Sequence, residues 1–113
     1  MDPQLRKLVE NEALFRTANE RIRDPAISFK FNRDQRVPFL CECSDRHCRE
    51  VVMLSLPVYE RIRAHPDRFL LCAGHEDEDG RLERVVEAEQ GYAVIEKIGE
   101  ARAEAARLDE RTA

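Results

Sequence analysis

Cys41 and Cys43 stand two residues apart and Cys48 follows five residues later, in a chain of 113 residues that has four cysteines. On an extended strand, residues i and i+2 project from one face, so the first two thiols share a side, and a turn after Cys43 brings the third beside them. Three thiolates that meet are ligands for a thiophilic ion. Zinc is the expected ion, because thiolate clusters bind it tetrahedrally and neither haem-attachment nor the usual iron–sulfur cysteine runs occur here. Spacing by itself does not separate zinc from iron.

Four residues compete for the fourth ligand position: Cys72, His75, His47 and His65. His47 adjoins Cys48 and would point to the opposite face of a strand, while His65 sits at the C-terminus of a short helix, where a partly charged imidazole is favoured. Cys72 ends the apolar run Phe69-Leu70-Leu71 and also reads as a small buried hydrophobe. His75 follows Gly74 in a loop and can swing toward the thiols. The preferred set is Cys41, Cys43, Cys48 and His75, with Cys72 as the alternative fourth ligand, and the Cys72-x-x-His75 spacing can bring both close to a metal.

The elements that must position these ligands read as follows. Asp2-Pro3 resembles a helix start, and Leu5, Leu8, Phe15 and Ile22 repeat near a heptad up to Pro25, which is expected to end the helix. Residues 26 to 36 alternate briefly at Ile27, Phe29 and Phe31, then turn polar, and read as a linker. Val37-Pro-Phe-Leu-Cys-Glu-Cys and Arg49-Glu-Val-Val-Met-Leu read as a hairpin with the metal knuckle at its turn. Ser55 is placed to cap a short helix that stops before Pro66, and 68 to 72 reads as a strand. Residues 82 to 88 and 92 to 97 form a second hairpin around Glu89-Gln90-Gly91. Ile98, Ala101, Ala105 and Leu108 mark a narrow seam on a final helix. The expected fold is α+β: a small antiparallel sheet with a zinc-knuckle hairpin, a short central helix and a helix at each terminus. It is organised as an N-terminal helical arm, 1–24, and a zinc-binding domain, 37–113.

Composition narrows the function. Leu, Ile, Val and Phe supply 28 residues and 37% of the chain is charged, which indicates a folded domain with a thin core that a metal can staple. The N-terminus lacks the apolar segment of a signal peptide and no stretch reads as a membrane span, so the expected location is cytoplasmic, where disulfides are disfavoured. Net charge is −4, divided as +2 over residues 1 to 75 and −6 over the remainder. That balance argues against tight nucleic-acid binding, although Arg33, Arg36, Arg46 and Arg49 surround the knuckle. Asp34, Glu42, Asp45 and Glu50 interleave with them.

Phe39-Leu-Cys-Glu-Cys, Cys48, Leu56-Pro-Val-Tyr-Glu-Arg-Ile-Arg, Pro66-Asp-Arg-Phe, Gly74-His-Glu and Tyr92-Ala-Val-Ile-Glu-Lys resemble a group of small, uncharacterised actinobacterial proteins, from about Asn11 to Leu108. The resemblance implies a zinc site at Cys41, Cys43, Cys48 and His75, implies no activity, and departs from the group at Cys72. No Walker loop, dinucleotide fingerprint or nucleophile elbow is present, and Glu42 and Glu76 are the only general bases suggested beside a metal. The expected function is a non-enzymatic, zinc-stabilised interaction or regulatory module, its partner a protein or a second copy meeting the terminal helices. The alternatives are a redox switch that uses Cys72 and a nucleic-acid-binding zinc protein.

Overall fold

Apolar runs without alternation, such as Phe69-Leu70-Leu71 and Ala93-Val94-Ile95, belong to strands that are covered on both faces, and the architecture supplies both covers. The computed structural model describes residues 1–28, 34–77, 80 and 82–112. In chain order it contains α1 (Pro3–Ser28), β1 (Arg36–Leu40), β2 (Val51–Ser55), α2 (Leu56–Arg63), β3 (Arg68–Cys72), β4 (Glu83–Glu89), β5 (Tyr92–Lys97) and α3 (Glu100–Arg107), then a 3-10 turn at Glu110–Thr112. The fold is α+β, with a helix toward each end and a short central helix. Its strands divide between two antiparallel sheets: β1 pairs with β2, and β5 lies between β3 and β4. Phe29, Phe31 and Arg33 lie outside the described residues. No described helix is long and apolar enough to cross a membrane.

The three-stranded sheet separates two apolar clusters. Leu70 and Val94 pack with Phe39, Val52, Leu54, Tyr59 and Ile62 from the β1–β2 hairpin and α2. The Phe39 and Tyr59 rings stack in parallel, with centroids 4.1 Å apart. Phe69, Leu71 and Ile95, adjacent along the same two strands and so on the other face, pack with Val9 of α1 and with Ala101 and Ala105 of α3. Burying each larger side chain contributes roughly 1.5–3 kcal/mol. The seam foreseen at Ala101 and Ala105 is therefore intramolecular.

The first helix departs from its expected form in two ways. It continues through Pro25 to Ser28. A proline removes one backbone bond, here to the carbonyl of the exposed Arg21, while Ala26 remains anchored in the apolar cluster beyond it. Its buried face is also largely polar: Glu12, Arg16, Asn19 and Glu20 are inside with Val9 and Ala13, whereas Leu5, Leu8, Phe15 and Ile22 lie half-buried. Arg16 donates to the Pro66 and Ala105 carbonyls at 2.7 and 2.9 Å and stands over the Phe69 ring. Glu20 accepts from the Tyr59 hydroxyl at 2.7 Å and pairs with Arg111. Ser55 occupies the N-cap position of α2, but its side chain makes no capping hydrogen bond.

One buried ammonium serves two carboxylates. Lys97 Nζ lies 2.6 Å from Glu12 Oε1 and 2.7 Å from Glu83 Oε1. Burial pushes the Glu12 carboxyl up from 4.5 to about 8, opposed by Lys97 and reinforced by Glu83 and Asp77. With the folded value above the unfolded one, the stability linked to this carboxyl is fully present below the unfolded value and is lost as pH rises toward the folded one. Glu12→Gln is therefore expected to lose less melting temperature than wild type between about pH 5 and pH 8. Parallel curves of melting temperature against pH for the two proteins would contradict this assignment.

Candidate metal centre

The ladder of the first hairpin runs past β1, as the Cys41 N–H donates to the Glu50 carbonyl at 3.0 Å. Residues 41 to 43 fall outside the strand itself, yet their side chains alternate as a strand's do. Cys41 and Cys43 turn toward the thiol cluster, and Glu42, fully buried, turns away from it. A tight turn then reverses the chain. The Cys48 N–H donates to the Asp45 carbonyl at 3.0 Å, the His47 N–H to Asp45 Oδ1 at 2.9 Å, and Asn11 Nδ2 holds the Ser44 carbonyl at 3.1 Å.

The fourth donor arrives from the far sheet. Just past β3 the His75 N–H donates to the Cys72 carbonyl at 3.1 Å, closing a turn in which Gly74 adopts φ +88°. That left-handed conformation favours glycine, and the Gly74 N–H is itself held by Glu76 Oε1 at 3.0 Å. His75 is thereby carried to the mouth of the knuckle.

One donor atom from each of Cys41, Cys43, Cys48 and His75 lies within 4.8 Å of all the others. His75 Nδ1 is 3.5 Å from Cys41 Sγ and 3.7 Å from Cys48 Sγ. A tetrahedral ion with metal–sulfur bonds of about 2.3 Å and a metal–nitrogen bond of about 2.0–2.1 Å separates sulfur from nitrogen by about 3.6 Å, the distance at which the His75 imidazole stands from Cys41 and Cys48. The Cys3His cluster can hold a metal. Cys41 and Cys43 are buried, Cys48 is half-buried and His75 is exposed, so the group opens to solvent on the imidazole side.

The electrostatics favour a cation in this place. Burial pushes the Cys41 and Cys43 thiols up, and neighbouring thiols add to the effect. Three thiolates here carry both a desolvation penalty and mutual repulsion, which a bound divalent cation offsets. The Cys72 N–H supplies a smaller compensation by donating to Cys41 Sγ at 3.2 Å.

The remaining candidates are placed differently. His47 and His65 are exposed and outside the group of four, and the half-buried Cys72 contributes its amide beside Cys41, its own thiol pushed up by burial. Three thiols and one imidazole are the number of donors that a tetrahedral ion takes. Of the two suggested bases, Glu76 accepts from the Gly74 amide and Glu42 is bound within the core.

Two residues that position the site carried no apolar signal and were missed. Asn19 of α1 receives the Leu40 N–H at 2.7 Å, returns a bond to the Leu40 carbonyl at 2.9 Å, and donates to Glu42 Oε2 at 2.7 Å. Its amide pairs with the edge of β1 as a further strand would. Asn11, two turns earlier on the helix, clamps the knuckle turn at Ser44. Asn19→Ala leaves buried polar groups unpaired and is expected to destabilise by about 2–3 kcal/mol in denaturant titrations. Unchanged stability would show that water replaces the amide without cost.

No family model, curated protein or solved structure matches the chain, and the functional reading therefore rests on the chemistry of the cluster.

Proposed function

We propose that Cys41, Cys43, Cys48 and His75 hold one zinc ion in a closed structural site, in a non-enzymatic cytoplasmic module whose role is interaction or regulation. The observation that carries this reading is the meeting, within 4.8 Å, of donors from the segments that follow β1 and β3, with His75 at the tetrahedral distance from Cys41 and Cys48. The knuckle belongs to the β1–β2 hairpin and the imidazole to the loop after β3, so a bound ion ties together parts that share no continuous ladder. It closes the 27-residue interval between Cys48 and His75, which reduces the freedom of the unfolded chain. Structural zinc sites in small peptides supply about 10–16 kcal/mol of apparent binding energy, enough to matter in a domain with so little apolar material. Zinc when bound supplies positive charge to the thiolates. The chain's part is to present them, with Glu42 and Asn19 holding the segment from behind.

A reducing compartment keeps such thiols available to a metal, in keeping with a cytoplasmic setting. Full protein ligation supports a structural over a catalytic role.

Elemental analysis and thermal melting of protein purified without added metal test the proposal. One zinc per chain is expected, with occupancy reduced in Cys41→Ser and His75→Ala, retained in Cys72→Ser, and a lower melting temperature after chelation. Wild type that is metal-free, folded and indifferent to chelator would overturn it.

A further inference from the structure

The outer side of the first hairpin is apolar. Cross-strand partners share a side, so Leu40 and Val51 lie together and Pro38 and Met53 follow two residues along. The opposite side, bearing Val37, Phe39, Val52 and Leu54, is already buried in the core. A two-stranded sheet with one covered face ordinarily presents polar residues on the other. Here Val51 and Met53 are each 48% exposed. The apolar surface continues past Leu40 into a groove of about 620 Å³ against α1, floored by Phe15, Ala18 and Ile22. Leu14, 67% exposed, stands at its rim. The helix thus has a second apolar stripe, Leu14, Ala18 and Ile22, which runs from the exposed rim to the edge of the core, where Ile22 packs.

Both charged side chains that line the groove are positive. Arg21 and Arg49 line it, and Arg49 stands over the Phe15 ring at 5.9 Å. Among the described residues, the Arg49 side chain donates to the Arg46 and Cys48 carbonyls and the Arg46 side chain to His47. Among the described residues, none of Arg21, Arg46 and Arg49 has a carboxylate partner. Arginines elsewhere commonly do: Arg63 pairs with Asp109, Arg68 with Glu96, and Arg102 with Asp67. Of the three without one, Arg21 and Arg49 line the groove and leave positive charge beside its apolar floor.

We infer that the groove between α1 and the β1–β2 hairpin is a docking site for a segment of another protein, an amphipathic helix whose apolar stripe is flanked by Asp or Glu. The apolar residues enter between Phe15, Ile22 and Leu40, and the acidic flanks meet Arg21 and Arg49. A second copy of this chain is a poorer occupant, because a two-fold contact across this face brings the like-charged Arg21 and Arg49 of the two copies together. A flat anionic membrane leaves the concave part unfilled. The apolar floor and Arg21 come from α1 and β1, and only Arg49 comes from the flank of the knuckle, so metal content is measured on the same samples to keep this inference separate from the proposed zinc site.

The probe is a fluorescein-labelled synthetic helix of about 16 residues, with leucines at i, i+3, i+4 and i+7 and glutamates on the flanks, read by anisotropy against wild-type holoprotein. Saturable binding is expected, at least about tenfold weaker for the same peptide with lysine flanks and weakened by added salt. Arg21→Glu and Leu14→Asp change exposed residues and are each expected to weaken binding about tenfold. Metal content and melting temperature, measured on the same samples, are expected to match wild type and report the zinc proposal separately. Equal binding of the two peptides, or binding of neither, overturns the inference. So does preference for a single-stranded oligonucleotide or for phosphatidylserine vesicles, and so does a dimer in sedimentation that Leu14→Asp dissolves.

Discussion

Two hydrogen bonds between Glu42 and Leu70 join the halves of this molecule. The Glu42 N–H donates to the Leu70 carbonyl at 2.7 Å, and the Leu70 N–H donates to Glu42 Oε1 at 2.9 Å. A backbone amide and a side-chain carboxylate together satisfy the edge of β3, in place of the neighbouring strand that would otherwise lie there. The other carboxylate oxygen takes the amide of Asn19, which carries the join to α1. Arg16 and Arg63 add favourable charge, although burial still pushes the Glu42 carboxyl up. Because Glu42 lies between Cys41 and Cys43, the anchor that seats the knuckle against β3 also turns both flanking thiols to the opposite side, toward Cys48 and His75. Strand-like alternation over three residues gives one tripeptide both tasks.

The same join determines where His75 can be. Leu70 is two residues before Cys72, whose amide reaches Cys41 Sγ and whose carbonyl closes the turn that holds His75. A short run of β3 therefore positions the imidazole relative to the knuckle with little free rotation between them. Preorganisation of this kind leaves the ion to supply charge compensation, with limited ordering of ligands still to be done.

Much of this was legible from residue types and spacing. The C-x-C-x4-C run and the loop position of His75 pointed to four residues that the structure brings together, and the strands were readable because each carries a dense apolar run or a period of two. Glu42 was correctly expected to face away from the thiols. What escaped was polar. Glu12, Arg16, Asn19 and Glu20 form the buried face of α1, and a reading that seeks apolar periodicity favours Leu8, Phe15 and Ile22 instead. Those positions flank the core, and Phe15 and Ile22 floor the outer groove. Pro25 failed as a stop because tertiary packing of Ala26 outweighs one lost backbone bond near a helix end. The division of the strands into two sheets depends on Glu42 replacing a strand, which no local pattern announces.

X-ray absorption at the zinc edge of the purified protein tests the central claim most directly. The account predicts a four-coordinate shell of three sulfurs at about 2.3 Å and one imidazole nitrogen at about 2.0–2.1 Å, the nitrogen lost in His75→Ala. A four-sulfur shell, which would bring in Cys72, or a shell of oxygen donors would contradict it.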